Sequence, residues 1–479
     1  MGKSRTALAA AVVAALLAGC AAGTPGPGTA SGGAVTTLPA ARAQQLEAKA
    51  IALTQDMEGG NYATTLAIAD DTLVKAGVDE ARLKAGWDQV GAMAGAYEGI
   101  TGAFSASLAA GDVVYVVAKH SSKSLRVLYS FVPGGNKLNG LNLNLATDAE
   151  IAQASGRTAE PSASATATVT GTGEHSVDAP VTVGQYSLPG TLTTPAGAEK
   201  HPVVALLLWG SGPQDRDETI GASNNKMFRD LADALAARGI SSLRFDKRTR
   251  VVPTAWTATS TLDDEYFADA KAAIGLLQAR SDLAGYRIVV IGHSQGAMVL
   301  PNVLRDNPAV AAGVSLAGSP RSLFDIMYDQ NVDAIGALTG KTDAEKQQLI
   351  ATSRQVMDAA KALTDPAGTV PEALASVMTA PYVVSLNKLD QAQVAKELTV
   401  PLLFAQGEAD RQVYLKADFE GWKAALAGRP NVSFASYPGL NHLFMKTQGL
   451  AAPADYDARA TMDAKATTDI AEWILAHVG

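Results

Sequence analysis

Four consecutive β-branched residues, Ile288-Val289-Val290-Ile291, run into Gly292-His293-Ser294-Gln295-Gly296 and then directly into Ala297-Met298-Val299-Leu300. The first run fits a buried strand and the last opens a helix, so the five residues between them must turn the chain sharply. Glycine on both sides of Ser294 permits this, because neighbouring backbone comes too close there for a β-carbon. A bare Gly-x-Ser-x-Gly says little in a chain of 479 residues with 44 glycines. Its flanks make it constraining, since a strand, a sharp turn and a helix in that order specify one unit of a largely parallel, helix-covered sheet. The turn also exposes the serine hydroxyl and aims a helix N-terminus at negative charge developing beside it.

The surrounding sequence continues the alternation. Pro202 to Trp209, Ser241 to Phe245, Arg287 to Ile291, Val310 to Leu316, Pro401 to Ala405 and Val432 to Tyr437 read as strands. Helical patterns lie between or after them at Asn225 to Arg238, Asp264 to Arg280, Gln295 to Arg305, Tyr414 to Ala427 and Thr461 to His477. This predicts an α/β domain over about residues 173–479, with functional groups at the carboxyl ends of the parallel strands. Residues 320–398 break the pattern with helical stretches only, and are expected to form a helical cap.

A serine hydroxyl needs a base and a group to orient that base. Two histidines follow Ser294: His442, in a loop just beyond the strand Val432 to Tyr437, and His477, in a helical pattern near the end of the sequence. The loop position favours His442. Asp410, after the strand and glycine turn Pro401 to Gly407, is the expected acid, with Glu408 as its competitor. Backbone N–H groups of Gln295 and of Ser211, in Trp209-Gly210-Ser211-Gly212-Pro213, are the expected oxyanion donors, with Gly212 next. His293, beside the serine, should be carried away from the hydroxyl by the turn.

Taken together, Gly210 to Asp217, Asp246-Lys247-Arg248, Gly292 to Gly296, Gly407 to Asp410 and Asn441-His442 resemble, in order and rough spacing, bacterial α/β-hydrolases of the prolyl-oligopeptidase-like and esterase-D types. The resemblance covers about Val181 to Gly479. It implies the α/β-hydrolase fold and a Ser/Asp/His acyl hydrolase acting on short or medium esters through an acyl-enzyme. One departure is that Thr249-Arg250-Val251-Val252 follows Asp246-Lys247-Arg248 where the family usually has glycine. Asp246, Lys247 and Arg248 read as an ion-pair network near the site, and Asp215, Arg216 and Asp217 as pins of the oxyanion loop.

Ahead of this domain, residues 40–150 show helical spacing first and strand-like runs afterwards, at Gly99 to Leu108, Val113 to Lys119 and Leu125 to Val132. That order predicts a small α+β domain. In size and position it resembles the nuclear-transport-factor-2-like domain that precedes some bacterial α/β-hydrolases. His120 is expected to be a surface or strand histidine rather than a catalytic one. Residues 151–172, rich in Ala, Ser, Thr and Gly, read as a linker.

Residues 1–20 carry Lys3 and Arg5, an apolar run from Ala7 to Leu17, and then Leu17-Ala18-Gly19-Cys20. This resembles a bacterial lipoprotein signal peptide, with Cys20 acylated after cleavage, and residues 21–39 as a flexible tether. A plain secretory signal is the alternative. The expected location is the exported face of the cell envelope, at the outer membrane or the outer face of the cell membrane. Cys20 is the one cysteine of the chain, so thiol chemistry is denied to the folded body, and a formal net charge of −8 gives no footprint for nucleic acid. A small-molecule ester is the expected partner, and no metal or organic cofactor is called for. Two other readings use the same residues: a serine aminopeptidase or amidase, with Asp325, Asp329 or Asp333 recognising an amine, and a non-catalytic binding lipoprotein.

Overall fold

A computed structural model describes residues 38–479 apart from 72, 74–77, 109–110, 133, 147, 157–171, 174, 198, 222, 253–254, 376 and 450–453. Cys20, the signal, the tether as far as residue 37 and most of the expected linker lie outside the described residues, while Leu38, expected in the tether, is instead buried in the core of the first unit. The described residues fall into two compact units, 38–156 and 172–479.

The first unit contains α1 (Ala40–Glu58), α2 (Ala63–Ala67), α3 (Glu80–Ala94), β1 (Tyr97–Leu108), β2 (Gly111–His120), β3 (Leu125–Phe131), β4 (Leu138–Leu145) and α4 (Asp148–Ala154). Its strands form an antiparallel sheet in sequence order. Helix α1 buries Leu46, Ala50, Leu53 and Met57 together with Val114, Val116, Val127 and Tyr129 of the sheet, the i, i+4, i+7, i+11 stripe of an amphipathic helix meeting a half-buried sheet face. Strand β4 carries little strand signal in the sequence, because asparagines alternate with leucines along it and asparagine is a poor strand former. Pairing with β3 and burial of Leu138 override that preference. His120 is buried, with Nε2 at 3.5 Å from Glu58 Oε1.

In the second unit the described strands are β5 (Thr172–Gly173), β6 (Ser176–Val183), β7 (Leu188–Pro195), β8 (Val203–Leu208), β9 (Thr219–Ile220), β10 (Asn225–Lys226), β11 (Ser241–Phe245), β12 (Arg287–His293), β13 (Val310–Leu316), β14 (Leu402–Gly407) and β15 (Val432–Tyr437). Nine of them form one sheet in the order β15-β14-β13-β12-β8-β11-β7-β6-β5. From β15 to β11 every pairing is parallel, and β7, β6 and β5 add antiparallel strands at the far side. This is the α/β-hydrolase fold, with β9 and β10 forming a separate short ribbon.

Helices fall on both faces because the direction of travel changes. The chain steps from β8 to β11 through α5 (Met227–Ala237), then back across β8 to β12 through α6 (Arg248–Val251) and α7 (Ala268–Ala279). Right-handed crossovers in opposite directions place α5 and α7 on opposite faces. From β12 the chain continues outward through α8 (Gln295–Asp306) to β13. The reversal leaves a crevice between the carboxyl ends of β8 and β12, where ligands of such sheets bind.

Between β13 and β14 the described residues form α9 (Leu323–Ala337), α10 (Asp343–Lys361), α11 (Ala380–Asn387) and α12 (Gln391–Glu397), helical as expected, but the apolar pattern Pro371 to Met378, also expected to be helical, forms turns. Helices α13 (Glu420–Ala425) and α14 (Ala464–Val478) complete the unit. Two expected helices begin differently: Asp263–Phe267 and Leu415–Phe419 are π-helical turns leading into α7 and α13. Residues Asn225 and Lys226, expected to start a helix, pair with Ile220 and Thr219 instead.

Candidate active site

Ser294 sits at the carboxyl end of β12 with φ 54° and ψ −118°, a left-handed conformation costly for any residue with a β-carbon. Its surroundings impose it: Ser294 N–H donates to Leu316 O at 2.9 Å, and Ser294 O accepts from Met298 N–H at 2.9 Å. A β-carbon on Gly292 would lie 2.4 Å from Gly296 O, and one on Gly296 would lie 2.4 Å from both Leu208 O and Trp209 O. The glycines are therefore required by close backbone approach between β8, β12 and α8. The N–H of Gln295 is in the first turn of α8, where helix donors have no intrahelical acceptor.

Across the crevice, the loop after β8 passes beside the serine. A β-carbon on Gly210 would meet Ser294 Cβ at 3.1 Å and Ser294 Oγ at 3.6 Å. Gly210 N–H donates to Glu218 Oε1 at 2.7 Å, Gln214 Nε2 donates to Ser211 O at 3.0 Å, and Asp215 Oδ1 accepts from the N–H groups of Asp217 and Thr219 at 3.0 Å each. Arg216 clasps Asp246 through Nε at 2.9 Å and Nη2 at 2.8 Å. Ser211 thus lies on a loop tied down at several points.

His442 is 1% exposed, and its Nδ1 is 2.7 Å from Asp410 Oδ2. The other ring nitrogen, Nε2, is buried with no hydrogen-bond partner. Asp410 follows β14, and its Oδ1 accepts from Gln412 N–H at 2.7 Å and Val413 N–H at 3.0 Å, while Oδ2 also accepts from Gln406 Nε2 at 2.8 Å. Three donors thus fix the carboxylate that in turn fixes the imidazole. The loop bearing His442 is shaped by Asn441, whose Oδ1 accepts from Leu443 and Met445 N–H and whose Nδ2 donates to Asp455 Oδ2 at 2.8 Å.

The competitors lie elsewhere. Glu408 is exposed and accepts from Ser436 Oγ at 2.7 Å. His477 Nδ1 is 2.8 Å from Trp473 O in an exposed turn of α14. His293 is fully buried with Nδ1 at 2.9 Å from Glu218 Oε1 and Nε2 at 3.0 Å from His442 O. Burial works against its charged form, but the Glu218 carboxylate and the His442 carbonyl outweigh it and raise His293 above the ordinary histidine value. It therefore ties the loop after β8 to the backbone of the His442 loop, a bridge that sequence adjacency to the serine did not disclose.

Lys247 and Arg248 are also internal. Arg248 pairs with Asp269 at 2.7 Å, and Lys247 Nζ lies 2.6 Å from Glu265 Oε1. In place of the family glycine, Thr249 to Val251 continue a single turn of helix, α6. The three cap carboxylates considered for amine recognition each face a cation: Asp325 with Lys361 at 2.8 Å, Asp329 with Arg321 at 2.8 Å and Asp333 with Arg411 at 3.4 Å. Among the described residues no cluster of His, Cys, Asp and Glu could hold a metal ion, and no helix is long and apolar enough to cross a membrane.

The profile of the Alpha/beta hydrolase family matches residues 184–455. Over 291 residues the chain is 35% identical to Esterase EstD of Thermotoga maritima, a match covering 60% of this chain and 65% of the relative, so the chain spans less than two thirds of that protein. Among solved structures, an esterase of Pyrococcus furiosus shares 16% identity over 64% of this chain and 91% of its own, with TM-score 0.38. The esterase domain of a Rhodothermus marinus protein shares 17% over 63% of this chain and 99% of its own, with TM-score 0.39.

Proposed function

The chain belongs to the alpha/beta hydrolase family, and from that premise we propose that it is a serine hydrolase cleaving carboxylic esters of short to medium acyl length. The observation that carries this reading is the pairing of His442 Nδ1 with Asp410 Oδ2 at 2.7 Å, with Nε2 left without a partner. An imidazole so held keeps its proton on Nδ1 and offers Nε2 as the base.

Ser294 Oγ attacks the ester carbonyl as its proton passes to His442 Nε2. Asp410 stabilises the imidazolium, and the N–H groups of Ser211 and Gln295 receive the oxyanion. The tetrahedral intermediate collapses as His442 protonates the leaving alkoxide, giving an alcohol and an acyl ester on Ser294. Water, deprotonated by His442, then attacks the acyl-enzyme and releases the acid.

Esters are favoured over amides by the likeness to an esterase and by the cations already facing Asp325, Asp329 and Asp333, which leave those carboxylates less free to bind a substrate ammonium. A series of p-nitrophenyl acyl esters set against aminoacyl p-nitroanilides tests this. Hydrolysis of the esters, fastest at short or medium chains, is expected, and turnover of the anilides alone would refute it. The same proposal attaches the chain to the envelope membrane by a lipid on Cys20. Cys20→Ala is then expected to move the protein from the membrane to the soluble fraction of expressing bacteria, and an unchanged distribution would count against the anchor.

A further inference from the structure

The π-helical turn Asp263–Phe267 carries two consecutive residues, Glu265 and Tyr266, that both reach Lys247. Such widened turns recur at functional sites because they re-aim side chains that an α-helix would separate. Lys247 is fully buried, and its ammonium has three acceptors for three N–H groups: Gly210 O at 2.9 Å, Tyr266 OH at 2.9 Å and Glu265 Oε1 at 2.6 Å. Tyr266 OH in turn donates to Gly210 O at 2.9 Å. Two donors therefore hold one carbonyl. The peptide unit is planar, so fixing Gly210 O also fixes the direction of the Ser211 N–H at the other end of that unit.

The second oxygen of Glu265 faces the other way. Oε2 accepts a short hydrogen bond from Tyr382 OH, a residue of α11 in the cap. Tyr382 OH accepts in turn from Gln295 Nε2 at 2.8 Å. Gln295 is the residue whose backbone N–H is the other oxyanion donor. Glu265, Tyr382 and Lys247 are buried, so water does not compete for these bonds and each keeps its strength. Burial pulls Lys247 below its ordinary value, opposed by Glu265, and pushes Tyr382 well above its own.

We propose that Glu265 is a positioning residue that registers the two oxyanion-hole loops against each other, through Lys247 on one side and Tyr382 on the other, and so makes hole geometry depend on a seated cap. This rests on the serine-hydrolase reading. An oxyanion hole works only when both N–H groups converge on one point, and here the groups behind the two donors converge on a single carboxylate.

A double-mutant cycle between Lys247→Met and Tyr382→Phe tests the arrangement, with kcat and KM for p-nitrophenyl butyrate measured per active site titrated with a fluorophosphonate. Outright loss of one oxyanion donor costs roughly 100- to 1000-fold in kcat, so loss of alignment is expected to cost about 10- to 30-fold in each single variant, with KM within about twofold. Because both act through Glu265, the double variant is expected within about threefold of the weaker single, far above the product of the two losses. Should Lys247→Met not fold, Glu265→Gln, which removes the charge holding Lys247 while keeping the side chain's size, replaces it in the same cycle. Multiplicative losses, kcat unchanged in the folded fraction, or an effect confined to KM or melting temperature would overturn the proposal. A wild type that neither hydrolyses the ester nor reacts with the fluorophosphonate overturns the serine-hydrolase reading, and this proposal with it; the preceding outcomes, in an active wild type, overturn this proposal alone.

Discussion

Ser294→Ala is expected to lower kcat for ester hydrolysis about a millionfold, equivalent to about 8 kcal/mol of transition-state stabilisation, and to abolish labelling by fluorophosphonates. Stability should hardly change. Alanine keeps the β-carbon, so the cost of the φ 54° backbone is the same before and after, and the residue is only half-buried. A variant that unfolds at the wild-type temperature yet takes no label separates loss of the nucleophile from loss of the turn. Labelling that persisted in Ser294→Ala would place the nucleophile elsewhere.

Asp410→Asn is expected to cost about 10,000-fold in kcat with little change in KM. The direction follows from what surrounds each oxygen. Two backbone N–H groups, of Gln412 and Val413, point at Oδ1, so the amide oxygen must occupy that side and the NH2 must face His442 Nδ1. Nδ1 then becomes an acceptor and the imidazole proton moves to Nε2, the position from which the base has to act. Gln406 Nε2, which donates to Oδ2, is also turned against a donor, so a modest loss of stability accompanies the loss of rate. Imidazole 15N shifts would report the change of tautomer directly, and an unaltered Nδ1–H signal in the variant would contradict the argument.

Strands β8, β11, β12, β13 and β14 could be read from the chain because they are buried on both faces, whereas β15, last in the sheet order, is mostly half-buried. Val203 to Leu208 is fully apolar and fully buried, and Val310 to Leu316 and Val432 to Tyr437 have the same limits in sequence and in space. The antiparallel strands β6 and β7 could not be read in that way. Threonines alternate with leucines in β7, and Pro180 interrupts β6, which among the described residues pairs with β5 only as far as Val177 and is an edge beyond it, where proline is tolerated.

At the site, Ser294, Asp410 and His442 carry local signals, a glycine turn or a loop after a strand. Glu218, Glu265, Gln406 and Tyr382 carry none. Glu218 is buried at φ 50° in a loop, and Glu265 depends on a π-helical turn that has no compositional signature. Tyr382 enters from the cap, and helical periodicity alone reads it as core. Their partners are set by tertiary packing, which periodicity and turn chemistry do not encode.

The cap leaves the sheet at the end of β13 and rejoins it at β14, and those two strands pair in parallel from Gly313↔Leu402 to Leu316↔Ala405. Everything between can lengthen or shorten without shifting a single rung of the ladder, since loop closure grows only slowly dearer with length. Evolution can therefore retool the segment between them as a replaceable part. The freedom ends at α11, where Tyr382 meets Gln295, Thr379 Oγ1 donates to Ser260 O at 3.3 Å and Ser385 Oγ accepts from Leu262 N–H at 3.0 Å. A transplanted cap lacking that one helix is expected to leave Gln295 Nε2, Ser260 O and Leu262 N–H without these partners.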